Sequence, residues 1–177
     1  MIQNKGYKDM AFYKQSEIIH DFTVEFVKLY INPYSRTKDQ MEQSARSGKQ
    51  NIAEGYTQRS LESRIKLVGV ARGSLEELLN DYQDYLRQQN LKTWHKDSAK
   101  MRELRDLRVL GNPFPHIPQL PHIPHNPELA SNLMIMLCQR ITYLLEKQIE
   151  SLKQKFINEG GFRENLFKQR LEKRNTR

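Results

Sequence analysis

Three histidines stand close together at His116, His122 and His125, the last two in an H-x-x-H step of the kind that can hold a transition metal. Between Pro113 and Pro127 there is no carboxylate and no cysteine. An extended proline-rich backbone sets the three imidazoles along an edge rather than around a point, so a solvated polar ridge is expected and no metal. Glu76-Glu77 and the pair Asp81 and Asp84 invite a di-metal reading. Such a site takes Glu-x-x-His from each of two helices, a set this chain does not supply. Ordinary solvated helix faces explain these acids better, with Glu54 and Glu77 as candidate buried partners for Arg72 or Lys49. Cys138 sits inside an apolar run and reads as core filler. No glycine-rich phosphate loop, G-x-S-x-G elbow or H-E-x-x-H helix is present. The expectation is a protein that is not an enzyme and carries no cofactor.

Positive charge is the more informative chemistry. Against 21 Asp and Glu the 177 residues hold 29 Lys and Arg, a net +8 that favours an acidic partner. From Leu91 to Gly111 six bases oppose three acids, and from Phe162 to Arg177 six oppose two. In the second stretch Arg163, Lys168, Arg170, Lys173, Arg174 and Arg177 interleave with Phe162, Leu166 and Phe167. That pattern fits a short amphipathic helix gripping phosphates or an acidic protein, as well as a solubilising end.

The elements that would position these residues are helices. Phe12, Ile19 and Phe26 alternate with Gln15, Phe22 and Leu29 at steps of three and four, which predicts a helix over 7–32 ended by Asn32-Pro33. A second, over 35–55, starts at Ser35 or Thr37 and carries the small stripe Met41, Ala45, Gly48 and Ile52, with Gly55 expected as a left-handed cap. Gly48 costs about 1 kcal/mol inside a helix, so close packing must offset it. The third helix, over 60–90, has two apolar stripes: Leu61, Ile65, Val68, Leu75, Leu79, Tyr82 and Leu86, and beside them Leu67, Ala71, Leu78 and Tyr85. That width suggests one surface inside the subunit and one between subunits. A fourth, over 128–158, is stopped by Gly160-Gly161. The fold class is therefore all-α, an up-down four-helix bundle over 1–158, with an insertion at 91–127 and a basic tail at 159–177.

Within the insertion, Trp94 to Leu110 reads as a short basic helix and the rest repeats in proline triplets. Polyproline II geometry turns these into an apolar ridge of Phe114, Ile117, Leu120 and Ile123, which needs a surface to dock on, either on its own subunit or on a neighbour. At about 3.1 Å per residue the strap would reach about 43 Å, enough to return the chain from one end of the bundle to the other. The longest apolar runs, such as Leu133 to Cys138, fall far short of a membrane span, and the polar stretch Met1 to Met10 has no export signal, so a cytoplasmic chain without membrane contact is expected.

The stretch from Ser44 to Gly55, with Asn51-Ile52-Ala53-Glu54-Gly55 at its end, followed by Arg59 and then Ala71 to Leu78 with Gly73, Ser74 and Glu77, resembles the bacterial four-helix bundle proteins encoded in ribosomal RNA intervening sequences. Where that family carries Ser-Ile-Pro-Ser, this chain has Ser47-Gly48-Lys49-Gln50, which leaves a kink in the second helix open. The same fold class includes the accessory variability protein of diversity-generating retroelements, a basic homopentamer that works with a reverse transcriptase and its template RNA. The resemblance implies a non-enzymatic homo-oligomer, a pentamer by preference, with the signature residues structural. It further implies RNA or DNA contact through Arg46, Lys49, Arg59 and Arg64 together with the tail. The alternative is an interaction module for an acidic protein.

Overall fold

The computed structural model describes residues 6–106 and 122–175. After a short 3-10 turn at Tyr7–Asp9 come α1 (Ala11–Tyr30), α2 (Arg36–Thr57), α3 (Leu61–Gln88), α4 (Ala99–Asp106), α5 (Pro127–Glu159) and α6 (Phe162–Asn175), with no strand among the described residues. The helix starts follow local chemistry. Ser35 Oγ accepts from the Thr37 amide, Ser60 Oγ from the Ser63 amide and Asn126 Oδ1 from the Leu129 amide, each filling a backbone donor that the first turn leaves open. Pro127 opens α5, where its missing N–H costs nothing. No described helix is long and apolar enough to cross a membrane.

Helix ends depart from the sequence reading in three places, the first being α1, which begins only at Ala11 because Met10 is extended between it and the 3-10 turn. Gly55 does not cap α2, which continues to Thr57. Gly55 is buried in the helix without positive φ, and a Cβ there would make only ordinary contact, at 3.4 Å, with Leu67 and Val68. α3 ends slightly early because Asn90 takes φ 54°, and the Leu91 amide closes back on the Leu86 carbonyl at 2.8 Å. Gly160, at φ 77°, ends α5 as expected.

The four long helices pack around one core in which α3 meets both α2 and α5, and α1 bridges the same two. Contacts run in opposing register along the α3 and α5 pair, from Lys92 with Asn132 to Arg72 with Glu146. Across the middle, the hydroxyls of Thr23 and Tyr82 lie 3.0 Å apart, and Phe26 meets the Tyr82 ring edge-on. Gln15, on the expected inner stripe of α1, is buried and donates to the Leu137 carbonyl at 2.8 Å. Leu29, on the same stripe, is 47% exposed. A repeat of 3.5 drifts against the 3.6-residue turn, and by the end of α1 the inner face has passed to Phe26, Val27 and the half-buried Tyr30.

The breadth of α3 has an explanation within one chain. Val68, Ala71, Leu75, Leu78, Leu79, Tyr82 and Leu86 are all buried in this single copy, because a helix with neighbours on both sides needs a wide apolar face. The remaining members of the two stripes, Leu61, Ile65, Leu67 and Tyr85, are half-buried in the single copy.

The insertion also differs from its expected course. It leaves α3 and rejoins α5 at the same end of the bundle: Asn132 Nδ2 donates to the Lys92 carbonyl at 2.9 Å, and Trp94 Nε1 to Glu128 Oε1 at 2.7 Å. Two antiparallel helices need no strap running the length of the bundle. The expected basic helix is α4, with Met101 and Leu104 buried. Of the apolar ridge, Phe114, Ile117 and Leu120 lie outside the described residues. Ile123 is buried in its own chain, its amide donating to Glu25 Oε2 at 2.8 Å, and the Pro124 carbonyl accepts from the Tyr30 hydroxyl.

Glycines on α2 and α3 make opposite predictions. A Cβ at Gly48 would come within 2.7 Å of Leu75 Cγ in the core, whereas one at Gly73 would meet nothing. Gly48→Ala should lose about 1 kcal/mol or more through overpacking despite better helix propensity. Gly73→Ala, which no contact within the chain opposes, should gain about 0.5–1 kcal/mol in the stability of the single chain. Urea unfolding of both variants checks this, and equal gains would show that Leu75 yields freely.

Candidate nucleic-acid interface

The tail is a helix, and its start is built from the corner before it. Gly160 turns the chain at positive φ, and Gly161 follows in a space so tight that a Cβ would sit 2.5 Å from Glu62 Oε1 and 3.0 Å from the Phe156 ring. Glu164 Oε2 then accepts from the Gly161 amide at 3.0 Å, the return arm of a capping box, and the Asn165 amide donates to the Gly161 carbonyl. α6 thus starts beside the Glu62 side chain at the beginning of α3.

Beyond the corner α6 has no buried residue. Its large apolar side chains are open to solvent, with Phe162 at 44%, Leu166 at 50%, Phe167 at 61% and Leu171 at 38% exposure. At 3.6 residues per turn, Arg163, Arg170 and Arg174 fall within about 40° of one another around the axis. Phe162 and Leu166 flank this stripe on one side, Phe167 and Leu171 on the other. Lys168 and Glu172 occupy the back, Glu164 falls beside Leu171 and Lys173 falls on the Phe162 flank. Arg177 lies outside the described residues.

The remaining candidate bases separate into two places. Arg59, Arg64 and Lys155 line a cavity of about 250 Å³ with Glu159, Phe162 and Asn165, so the α2–α3 turn and the root of α6 share one corner. Arg59 is exposed there. Arg64 has a structural task instead: its Nη2 donates to the Tyr56 and Gln58 carbonyls at 3.1 and 3.0 Å, covering acceptors that the end of α2 leaves open. Lys155 pairs with Glu159 at 3.7 Å. Arg46 and Lys49 are not part of this corner. Arg46 is exposed about 17 Å back along α2, and Lys49 Nζ lies 3.2 Å from His20 Nδ1 of α1. Sequence reading missed Lys155, which the antiparallel register of α3 and α5 brings beside the turn.

The signature residues form the seam between α2 and α3. Asn51 Nδ2 donates to the Ser47 carbonyl at 2.9 Å, the hydroxyls of Ser47 and Ser74 are 2.9 Å apart, Ile52 is in the core and Ala53 is half-buried. Glu54 and Glu77 are exposed rather than buried, and Arg72 reaches across to Glu146 on α5 at 2.8 Å. That partner was hidden because it belongs to a helix far along the chain.

An acidic groove between α2 and α3, about 730 Å³, is lined by Asp39, Gln40, Gln43, Ser44, Glu77 and Asp81. Burial first, then the charges of Asp84 and Glu77, push the Asp81 carboxyl up to about 6. A cleft of about 670 Å³ lies beside Trp94, where Lys100 Nζ sits 4.9 Å from the indole centroid and Glu128 is engaged by Trp94 and the Lys92 amide. The indole bond leads the contacts that hold Glu128 below its ordinary value. His122 is 3.1 Å from Glu25 and His125 is exposed, while His116 lies outside the described residues. Among the described residues no three metal-ligating side chains gather. Burial raises the Cys138 thiol pKa strongly, which disfavours a nucleophilic thiolate.

Comparison with protein-family models, curated proteins and solved structures gives no match.

Asp81 makes a pH prediction. Its folded pKa stands above the ordinary 3.8, so its contribution to stability is full below 3.8 and lost as pH rises through about 6. Asp81→Asn should therefore raise the melting temperature at pH 8, by about 1–3 °C after solvent screening, and leave it unchanged at pH 3. A gain of equal size at both pH values would trace the effect to packing rather than charge.

Proposed function

We propose that this chain is a non-enzymatic homo-oligomeric scaffold, most simply a pentamer, that contacts RNA or DNA through α6 and the adjoining Arg59 corner. The observation that carries this reading is the arginine stripe of α6, set between uncovered apolar flanks on a helix with no buried residue. Phosphate neutralisation by such residues is the main source of affinity for nucleic acid, and the net +8 adds long-range attraction.

Assembly draws support from α3. Gly69 and Gly73 stand one turn apart with open space beyond both, next to Val70 at 44% exposure. Each costs about 1 kcal/mol relative to alanine inside a helix, and no contact within the chain requires either. Close approach of a helix from a second copy would account for the pair, in keeping with the implied homo-oligomer. The second reading is an acidic protein partner for the same basic helix.

Removing Phe162 to Arg177 from the full chain should weaken RNA and DNA binding and flatten its salt dependence, the log–log slope falling by about 0.7–0.9 for each phosphate no longer neutralised. Unchanged affinity and slope would remove the tail from the interface. A partner retained in pull-downs after nuclease digestion would favour the acidic-protein reading.

A further inference from the structure

We infer that α6 is selective for single-stranded nucleic acid, with the strand's backbone on the Arg163, Arg170 and Arg174 stripe and its bases stacked on the flanking rings. This rests on the nucleic-acid reading above and deepens it. The order of side chains around the helix carries the choice. A helix that enters a duplex groove turns polar groups to the base edges at its centre and cations to the phosphates on its two sides. α6 has the reverse arrangement, cations in the middle and apolar groups on both sides, so a groove would press Phe162 and Phe167 against the phosphate walls. A single strand has no second wall. Its phosphates can follow the central arginines while the bases swing to either side and stack on the exposed rings.

The same order disfavours the other surfaces that basic helices seek. A helix lying in a membrane interface buries one continuous apolar face and keeps its cations on the opposite face or at the edges. Here the three arginines would be carried into the apolar layer. An acidic protein would have to present a charged ridge between two apolar grooves.

The corner extends the track. Phe162 shares its cavity with the exposed Arg59 and with the Lys155–Glu159 pair, so a strand running past Arg163 meets one further cation, Arg59, on the bundle. A helix of 14 residues with no packed face is marginal in water, and a strand covering its apolar flanks would stabilise it.

The test uses the full chain, fluorescence anisotropy and two labelled probes of equal charge: an oligo-dT strand of about 16 nucleotides and a blunt duplex hairpin. Wild type should bind the strand more tightly than the hairpin. Phe162→Leu with Phe167→Leu keeps apolar area but removes the rings, and should weaken strand binding about tenfold or more while leaving the salt slope and hairpin binding unchanged. Arg163→Gln, Arg170→Gln and Arg174→Gln together should reduce the strand's salt slope by about 2. These side chains are exposed and the bundle core excludes them, so far-ultraviolet circular dichroism and the melting temperature should match wild type. Equal affinity for both probes, or no weakening in the leucine variant, overturns single-strand stacking but leaves nucleic-acid contact standing. If wild type binds neither probe, both readings fall. Binding to anionic vesicles or an acidic protein, with neither probe bound, would reassign the helix to that partner.

Discussion

Leu75 seats on the bare backbone of Gly48, and this contact sets how closely α2 and α3 approach. Any side chain at position 48 would hold the helices apart at their middle. With the glycine there, Ser47 can meet Ser74, Asn51 can bind back onto Ser47, and Gly55 can lie against Leu67 and Val68 further along the same seam. The seam ends in a turn that Arg64 holds by two carbonyls, and the α5–α6 corner rests beside that turn.

The two ends of α3 serve different purposes. At its close, Asn90, Lys92 and Trp94 tie the insertion to the start of α5, so that Glu128 and Asn132 hold a segment which would otherwise hang from the bundle. At its start, Glu62 lies against Gly161, where the chain leaves the core for the unburied α6. Charge follows the same division. The acids of the α2–α3 groove face one another closely enough to raise Asp81, a local excess of negative charge that would repel a strand, whereas Arg59, Lys155 and α6 collect positive charge at the opposite end of α2.

Much of the helical frame was readable from spacing alone, because a stripe such as Ile19, Phe22 and Phe26 must be buried wherever its helix lies. Caps at Ser35 and Ser60 follow from side chains that reach only their own first turn. What depends on a distant partner was not readable. Arg72 meets Glu146 and Gly55 meets Leu67 only once the bundle is assembled, and the local sequence offers a cap or a nearby acid as equally good explanations. Width on α3 is ambiguous for the same reason, since periodicity counts apolar faces without saying whose neighbours cover them. The tail was legible as basic and amphipathic. Its central arginine stripe and its corner with Arg59 emerged only with the helix bounds and the register of α5.

Light-scattering mass of the purified, untreated protein, with absorbance at 260 and 280 nm followed across the same peak, bears most directly on the nucleic-acid scaffold. A particle near five times 21.0 kDa with excess absorbance at 260 nm is the predicted result. A monomer that elutes free of nucleic acid would contradict it.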